Sequence, residues 1–345
     1  MTKIDNNITL DYGSGGRKMH RLISELFLKH FKNPILGKLE DSAELNLLST
    51  RPDFCLTIDS YVVQPLFFPG GDIGKLSICG TVNDLAVKGA KPNFIAISFV
   101  LQEGLSLTTL DKICRSIAKT AKSVPVKIVT GDTKVVERDS EQEELIVTTC
   151  GIGKIHKYFR NPTLSANNIK IGDVVLINGS IGDHESAVVV ARGEYQLKAA
   201  IKSDCAPLYS LVAKFAKAKC KIRMMRDPTR GGLATTLNEI ADAAKVSIIV
   251  DESLIPIKKA VRGIAELLGI DPLYMANEGK VVIIADRDER DKLIAIMKKD
   301  PLGKNCAVIG EVTKRRHGIG VWLKTKIGSL RPVLQLEGMQ IPRIC

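Results

Sequence analysis

Residues 93–132 read NFIAISFVLQEGLSLTTLDKICRSIAKTAKSVPVKIVTGD, and they contain one complete supersecondary unit. The apolar runs at 93–101 and 126–129 predict two strands. Between them, 107–123 predicts a helix, because its apolar side chains recur at helical spacing, at Leu110, Ile113, Cys114, Ile117 and Ala121. A strand, a helix and a strand in this order indicate a βαβ unit. The stretch therefore predicts an α/β fold.

The residues on either side of this unit continue the alternation of helices and strands. The apolar run at 54–59 predicts a buried strand that ends in Asp59, 145–153 predicts another strand, and 22–31 predicts a short helix. Residues 72–88 predict a longer helix, with Gly89 as its C-terminal cap. One face of that helix is small and polar, which allows another group to approach closely, at Ser77, Gly80, Thr81 and Asp84.

The C-terminal half predicts a second α/β unit. The loop-forming residues at 161–168 are the preferred boundary between the two halves. Beyond it we predict strands near 174–177, 246–250, 281–285 and 306–312, and helices near 207–217, 229–245, 257–268 and 288–299. From about residue 313 the pattern weakens, and the chain ends in a tail.

The composition is that of an ordinary globular protein, since 45% of the 345 residues are hydrophobic and 26% are charged. No apolar run approaches the roughly 18 residues of a membrane helix, and the polar N-terminus is unlike a signal peptide, so we expect a cytoplasmic protein. The net charge is +12, but the basic residues are spread along the chain and only 5% of residues are aromatic. This favours anionic ligands or an acidic protein partner over nucleic acid.

Five aspartates stand at comparable places in this pattern. They end apolar strands, lie on the small helix face or precede a predicted helix, at Asp41, Asp59, Asp84, Asp132 and Asp227. Each one alone is typical of a solvated turn or cap. Together they favour a Mg²⁺ site, because Mg²⁺ combines a few carboxylates with nucleotide phosphates and buried acids are costly without a cation.

Two stretches have the chemistry of phosphate binding. The segment Gly13-Ser14-Gly15-Gly16 has backbone N–H groups that can wrap a phosphate, although the same residues also suit a flexible linker. Asp227 with the following Pro228 is predicted to open a helix, whose first N–H groups favour an anion, while Asp227 equally suits the helix cap itself. A P-loop is excluded, because Pro69 stands where its first glycine is required and Leu76 replaces its Ser/Thr.

Three residues are candidates for covalent or proton-transfer chemistry. Lys134 and Glu278 are plausible acid/base groups, although either alone is more often a surface charge. Cys345 is the last of eight cysteines and differs from the others, which mostly lie in apolar runs and form no C-x-x-C pair. A terminal thiol on a short tail suits a swinging carrier arm, and it is equally compatible with an accidental cysteine.

These stretches resemble the HypE family of hydrogenase maturation factors, within the superfamily of aminoimidazole ribotide synthetase, or PurM-like, proteins. The resemblance covers almost the whole chain and is carried by 13–16, 59–84, 130–134, 181–184, 226–232, 276–280 and the ending Pro342-Arg343-Ile344-Cys345. It implies a two-domain PurM-like fold, mixed α/β. The expected parts are a flexible Gly-rich segment and helix at 1–40, an ATP-binding and dimerisation domain at 41–160, a second domain at 168–312, and a C-terminal region with a mobile carrier tail at 313–345.

The resemblance also implies a reaction at Cys345. A HypF carbamoyltransferase places a carbamoyl group on the thiol, ATP phosphorylates its oxygen, and loss of phosphate leaves a thiocyanate. The cyano group then passes to iron on a HypC–HypD complex for the Ni–Fe hydrogenase centre. A homodimer is implied, with the nucleotide near the subunit interface. ATP with Mg²⁺ would be bound by residues of the matching stretches, namely Gly13, Ser14, Gly15, Gly16, Asp59, Lys75, Asn83, Asp84, Asp132, Thr133 and Asp227.

Within this reaction we expect Glu278 to act as the base, with Lys134 assisting. Some positions depart from the family pattern: Glu40 precedes Asp41 where a second Asp is usual, and Glu185 follows His184 where Gly is common. We therefore carry only Asp41 into the metal set and assign no role to Asp183 or His184. Two alternatives stay open, another PurM-like kinase or synthetase acting on a small molecule, and a non-enzymatic assembly adaptor.

Overall fold

The computed structural model describes residues 8–13, 15–31, 33–47, 53–137, 144–160, 164–193, 199–336, 338, 341 and 344. Strands and helices alternate along most of this length. The strands are β1 (Ala43–Leu45), β2 (Phe54–Tyr61), β3 (Phe67–Phe68), β4 (Gly71–Asp72), β5 (Ala90–Gln102), β6 (Lys127–Val136), β7 (Leu145–Ile155), β8 (Val174–Ile177), β9 (Ile222–Arg226), β10 (Ser247–Asp251), β11 (Val282–Ala285), β12 (Ala307–Thr313), β13 (Val321–Lys324) and β14 (Leu330–Val333).

The helices vary from one turn to seventeen residues. They are α1 (Arg17–Arg21) and α2 (Leu28–Phe31), joined by a π-helical stretch at Leu22–Phe27, and then α3 (Ile73–Val87), α4 (Leu107–Ser123), α5 (Asp183–Arg192), α6 (Tyr209–Lys217), α7 (Gly232–Ala244), α8 (Lys259–Leu268) and α9 (Arg290–Lys298). The predicted helix at 22–31 is thus confirmed and begins five residues earlier, at Arg17.

The first sheet has the strand order β1-β2-β7-β5-β6. Its strands are antiparallel except for β5 and β6, which pair in parallel and are connected by α4. The predicted βαβ unit is therefore confirmed. The strand β6 continues past Asp132 to Val136, so the prediction that this acid ends the strand is wrong.

Helix α3 lies against this sheet through its small polar face. Asp72 caps its first turn by accepting a hydrogen bond from the backbone N–H of Lys75 at 3.0 Å, and Gly89 follows the helix with a φ of +73°. A Cβ atom at Gly80 would collide with the Tyr61 hydroxyl of β2. The group that approaches the small face is thus the sheet itself, and this contact places Asp84 beside β2.

The outer face of the first sheet is apolar and exposed. Strand β2 alternates, with Cys55, Thr57 and Tyr61 buried while Ile58 is 67% exposed. The prediction of a fully buried strand at 54–59 is therefore wrong. Large exposed side chains continue this surface across four strands, at Leu56, Ile58, Phe94, Val136 and Ile146.

The second sheet has the order β14-β13-β10-β12-β8-β11-β9 and contains the four strands predicted for the C-terminal half. The four helices predicted there are also present, while α5, β9, β13 and β14 were not predicted. One apolar cluster contains Cys55 and Leu85 of the first half together with Leu176, Phe215 and Ile283 of the second. The two sheets thus share a core. The predicted domain boundaries stay a prediction, and residues 161–163 of the predicted linker lie outside the described residues.

Among the described residues, no helix is both long and apolar enough to cross a membrane. The predicted cytoplasmic location stays a prediction.

Candidate active site

A polar cleft opens where β2 and α3 of the first half face α7 of the second. Acidic side chains dominate its lining, at Asp41, Asp59, Asp84, Asp227, Glu239 and Glu278, and two arginines, Arg226 and Arg230, accompany them. Four of the five predicted metal-binding aspartates therefore meet in one place. They come from distant parts of the chain, since Asp59 is on β2, Asp84 is on α3 and Asp227 follows β9.

The four aspartates carry more negative charge than their surroundings neutralise. Burial raises the pKa of each of them, and the neighbouring carboxylates raise those pKa values further. The pKa of Asp227 rises to about 8, and that of Asp84 rises well above its ordinary value. Thr57 donates a hydrogen bond to Asp84 at 2.6 Å, and Tyr61 donates one to Asp59 at 3.2 Å. A bound cation would relieve this repulsion.

The donor set fits a cation that arrives with phosphate ligands better than a cage made by protein alone. Among the described residues, no group of three or more His, Cys, Asp or Glu side chains is arranged to hold a metal ion by itself. Mg²⁺ in nucleotide sites usually takes one or two carboxylates and completes its shell with phosphates and water. Asp84 and Asp59 are the best placed for this, because Asp41 is already paired with an arginine.

Arg226 is a lining residue of the cleft that sequence reasoning missed. Its guanidinium lies 2.6 Å from Asp41 and 3.0 Å from Glu239, and Glu239 also lies 2.9 Å from His20 Nε2. The contact with Glu239 raises the pKa of His20, and Arg226 together with His20 lowers the pKa of Glu239. The only signal in the sequence was that Arg226 begins one of the family-like stretches.

Replacing Arg226 with Met is expected to lower the free energy of unfolding by about 3–5 kcal/mol, because the buried Asp41 and Glu239 would lose their cation. Urea denaturation of both proteins measures the difference. Arg290→Met is the matched control, since its partner Asp291 is 85% exposed and such pairs contribute little. An Arg226→Met variant as stable as the control would show that the two acids are neutralised in another way.

Glu278 is held at the cleft by its backbone. Asp204 accepts hydrogen bonds from the N–H groups of Glu278 at 3.2 Å and Gly279 at 3.0 Å, and it pairs with Lys280 at 2.9 Å. The side chain of Glu278 is only 3% exposed, and burial raises its pKa well above the ordinary value. A carboxylate whose pKa is raised toward the working pH has the basicity that a general base requires.

Asn83 supports the same segment. Its side-chain amide donates to the carbonyls of Ala206 at 3.2 Å and Glu278 at 3.3 Å and accepts from the N–H of Leu208 at 2.8 Å. All these partners are backbone groups, so the amide positions the loop behind the cleft. The predicted contact of Asn83 with nucleotide stays a prediction.

Several other predicted residues lie at or beside the cleft. Gly15 lines it, with a φ of +75° and its Cα packed on Arg230, and the carbonyl of Gly13 accepts from Arg230 at 3.1 Å. Gly16 caps α1. Asp227 lines the cleft but does not cap a helix, because α7 begins only at Gly232, so that part of the prediction is wrong. Ser14 lies outside the described residues.

A second group of predicted residues lies away from the cleft. Asp132, Thr133 and Lys134 are on β6, where every residue is exposed, and Lys134 Nζ is 3.9 Å from Asp132. Lys75 donates to the carbonyl of Gly70 at 2.8 Å. Within one chain the structure does not bring these four residues to the aspartates. Cys345 lies outside the described residues.

The two departures from the family pattern have structural partners. Glu40 lies 3.0 Å from the buried Lys88, which also pairs with Glu44 at 3.0 Å. Glu185 is 4% exposed and accepts a hydrogen bond from the N–H of Ala276 at 2.7 Å. Burial raises the pKa of Glu185 from 4.5 to about 7.

This pKa has a consequence for stability. Because the folded pKa of Glu185 is raised, its stabilising contribution is present below about pH 4.5 and is lost as the pH rises through about 7. Glu185→Gln keeps a hydrogen-bond acceptor for the N–H of Ala276 but cannot titrate. Between roughly pH 5 and 8, the variant is therefore expected to lose about 2 kcal/mol less unfolding free energy than the wild type. Urea denaturation at both pH values measures it, with the exposed Glu266→Gln as control. An unchanged pH dependence would contradict the raised pKa.

Comparisons with known proteins agree with this fold and site. Residues 39–155 match the model of the AIR synthase related protein N-terminal domain, and 170–323 match that of the C-terminal domain. Fold and site thus define an AIR synthase related protein. The carbamoyl dehydratase HypE of Rhodobacter capsulatus is 42% identical over 344 residues, 99% of each chain, and that of Escherichia coli K12 is 42% identical over 343 residues, 99% of this chain and 100% of the relative.

The chain therefore belongs to the HypE family of carbamoyl dehydratases, which confirms the predicted family, fold class and kind of enzyme. Two solved structures are also similar. A HypE–HypF complex has a TM-score of 0.84 at 43% identity, covering 91% of this chain and 99% of that one. A HypE structure in complex with ATP has a TM-score of 0.79 at 43% identity, covering 98% of this chain and 100% of that one.

Proposed function

We propose that this chain is an ATP-dependent carbamoyl dehydratase that converts an S-carbamoyl group on its own Cys345 into a thiocyanate. The product would supply the cyano ligand of a Ni–Fe hydrogenase centre. The observation that carries the proposal is the cleft of buried carboxylates, in a chain of the HypE family that ends in Pro342-Arg343-Ile344-Cys345.

The reaction needs two chemical operations. The carbamoyl oxygen is a poor leaving group, and transfer of the γ-phosphate of ATP to that oxygen makes it a good one. Phosphoryl transfer depends mainly on alignment and on neutralising charge. Mg²⁺ bound with the nucleotide would supply part of that neutralisation, held by Asp84 and Asp59. When phosphate leaves, the carbamoyl nitrogen must lose its protons, and Glu278 is the proposed base with Lys134 assisting.

The comparisons support the proposed ligand and the first partner. A similar HypE structure is described in complex with ATP, and another in complex with HypF. We infer that this chain binds ATP and receives its carbamoyl group from a HypF carbamoyltransferase. We further propose that a HypC–HypD complex accepts the cyano group. As the S–C bond of the thiocyanate breaks, the thiolate of Cys345 leaves, and an electron-rich iron on that complex supplies the electron pair of the new Fe–C bond.

We propose that two copies associate through the apolar outer face of the first sheet. This surface includes Ile58, which is 67% exposed, and Phe94, which is 47% exposed, and monomeric proteins rarely leave so large a patch in water. The same face and its edge strand carry Asp132 and Lys134. Association would allow β6 of one copy to complete the cleft of the other, which accounts for the distance of these two residues from the aspartates within one chain.

Ile58→Asp is expected to convert a dimer into a monomer, because it places a charge in the centre of the apolar face. Light scattering coupled to size-exclusion chromatography measures the mass. Ile327→Asp is the control, since Ile327 is 91% exposed in the turn between β13 and β14 and belongs to no such patch. A wild-type protein that is monomeric at all concentrations tested would exclude the proposed association.

The proposed reaction is tested by the intact mass of the chain. Carbamoylation of Cys345 is expected to add about 43 Da, and ATP with Mg²⁺ is then expected to remove about 18 Da, as formula masses of the covalent intermediate. Cys345→Ala is expected to show neither change. Phosphorylation of an added small molecule without any mass loss would favour a PurM-like kinase instead, and the absence of ATP turnover would favour an adaptor.

A further inference from the structure

His184 has no role in the proposed chemistry, yet it is completely buried and both of its ring nitrogens have partners. It is the second residue of α5, and its ring lies edge-on to that of Phe68, with 5.3 Å between centroids. Nδ1 lies 2.8 Å from the hydroxyl of Ser203, and Nε2 lies 3.0 Å from the backbone carbonyl of Ile344. A buried side chain on α5 thus contacts the penultimate residue of the chain.

The hydrogen bonds fix the state of the ring. A carbonyl oxygen can only accept, so Nε2 must carry a proton. Burial lowers the pKa of His184, which keeps the ring neutral and leaves Nδ1 as an acceptor. Ser203 supplies that proton, and its oxygen accepts in turn from the N–H of Cys205 at 3.0 Å. The Ser203 hydroxyl and both ring nitrogens of His184 thus have hydrogen-bond partners, and the ring presents its Nε2–H to the tail.

The tail is also held by apolar and backbone contacts. Ile344 is 6% exposed and belongs to the apolar cluster that contains Tyr61 and Ala276, residues beside the cleft. Further back, Tyr274 donates to the carbonyl of Leu334 at 2.6 Å and the N–H of Arg17 donates to that of Leu336 at 2.9 Å. Among the described residues after β14, Leu334, Leu336 and Ile344 are thus each held by a contact.

The same short loop serves His184 and the proposed base. Ser203, which orients the imidazole, is followed directly by Asp204, which holds the backbone of Glu278. The loop is fixed against the turn between β3 and β4, because the N–H of Ser203 donates to the carbonyl of Pro69 at 2.8 Å. One loop thus contacts both the backbone of Glu278 and the imidazole that binds Ile344.

We propose that His184 is a positioning residue that docks the C-terminal tail through the carbonyl of Ile344, so that the following Cys345 is presented to the cleft. This inference rests on the proposed function for its purpose, but not for its test. His184 contacts no reacting atom and acts only by way of the tail.

Two variants of His184 separate docking from general support of the core. Asn places its amide near Nδ1 and retains a partner for Ser203, but it does not reach Ile344. Gln extends further and places an amide N–H near Nε2. If His184 docks the tail, we expect His184→Asn to lose the hydrogen bond to the carbonyl of Ile344 and His184→Gln to retain it.

The first measurement is the rate at which iodoacetamide alkylates Cys345 in the full chain without ATP, followed by peptide mass spectrometry. The exposed Cys114 is the internal reference. We expect alkylation of Cys345 to become about tenfold faster in His184→Asn, from loss of one buried hydrogen bond, and to stay within about twofold in His184→Gln. Ile344→Ala is expected to give a similar increase by removing the apolar contact.

The second measurement is single-turnover loss of water from the carbamoylated chain at saturating ATP. His184→Asn is expected to slow it about tenfold with an unchanged KM for ATP, and His184→Gln is expected to restore it. Unchanged alkylation in both His184→Asn and Ile344→Ala, or equal effects of Asn and Gln, would overturn the inference. If the wild-type chain loses no water, the proposed function fails, while the alkylation rates still show whether His184 holds the tail.

Discussion

Glu278→Gln is expected to slow dehydration of the carbamoylated chain by at least about a hundredfold, because a positioned general base contributes that much or more. The amide cannot take a proton from the carbamoyl nitrogen. The side chain is 3% exposed and its backbone is held by Asp204, so the substitution changes the basicity and leaves the geometry unchanged. Single-turnover intact-mass spectrometry gives the rate, and calorimetric titration gives the ATP affinity, which we expect to stay within about threefold.

The control for this experiment is Glu266→Gln on the exposed side of α8, for which we expect the wild-type rate. A Glu278→Gln protein that dehydrates at the wild-type rate would remove Glu278 from the mechanism. A protein that loses ATP affinity to the same extent as the rate would instead assign Glu278 to nucleotide binding. The ratio of the two effects therefore identifies its role.

Asp84→Asn is expected to reduce ATP turnover by about a hundredfold, since a metal ligand in phosphoryl transfer contributes several kcal/mol. The pKa of Asp84 is raised well above its ordinary value, by burial first and then by Asp59 and Asp227. Removing its charge lowers that repulsion. We therefore expect the nucleotide-free variant to be at least as stable as the wild type, while the stabilisation by Mg²⁺ and ATP disappears.

Phosphate release and thermal unfolding with and without Mg²⁺–ATP measure the two effects. Asp291→Asn is the matched control, because Asp291 is 85% exposed and far from the proposed chemistry. An Asp84→Asn variant that is destabilised without nucleotide but keeps its turnover would show that Asp84 is structural. Such a result would also weaken the proposed metal contact of Asp59.

The fold could be predicted where the hydrophobic pattern has a clear period. Helix α4 presents one apolar stripe, and β8 is a short apolar run, so both were predicted within two residues of their bounds. Helix α5 was missed because it begins with three polar residues that are all buried, Asp183, His184 and Glu185, and therefore shows no polar face. Strand β9 was missed because arginines interrupt its short apolar run.

The site could be predicted in part, for a different reason. An acidic residue on an apolar strand or helix was the right signal for Asp59 and Asp84, which the structure brings into one cleft. The partner of Asp41 could not be found, because Arg226 is distant along the chain and looks like any other basic residue. The same reasoning also selected Asp132, since a sequence pattern does not distinguish the two edges of a sheet.

Strand β2 carries both the cleft and the apolar outer face on alternate residues. Asp59 points toward the cleft, while its neighbour Ile58 lies on the outer face. Deleting or inserting a single residue in this strand would exchange the two faces, turning a carboxylate outward and an isoleucine into the cleft. We therefore expect changes of chain length to be tolerated in the loops that precede and follow β2, and not within the strand.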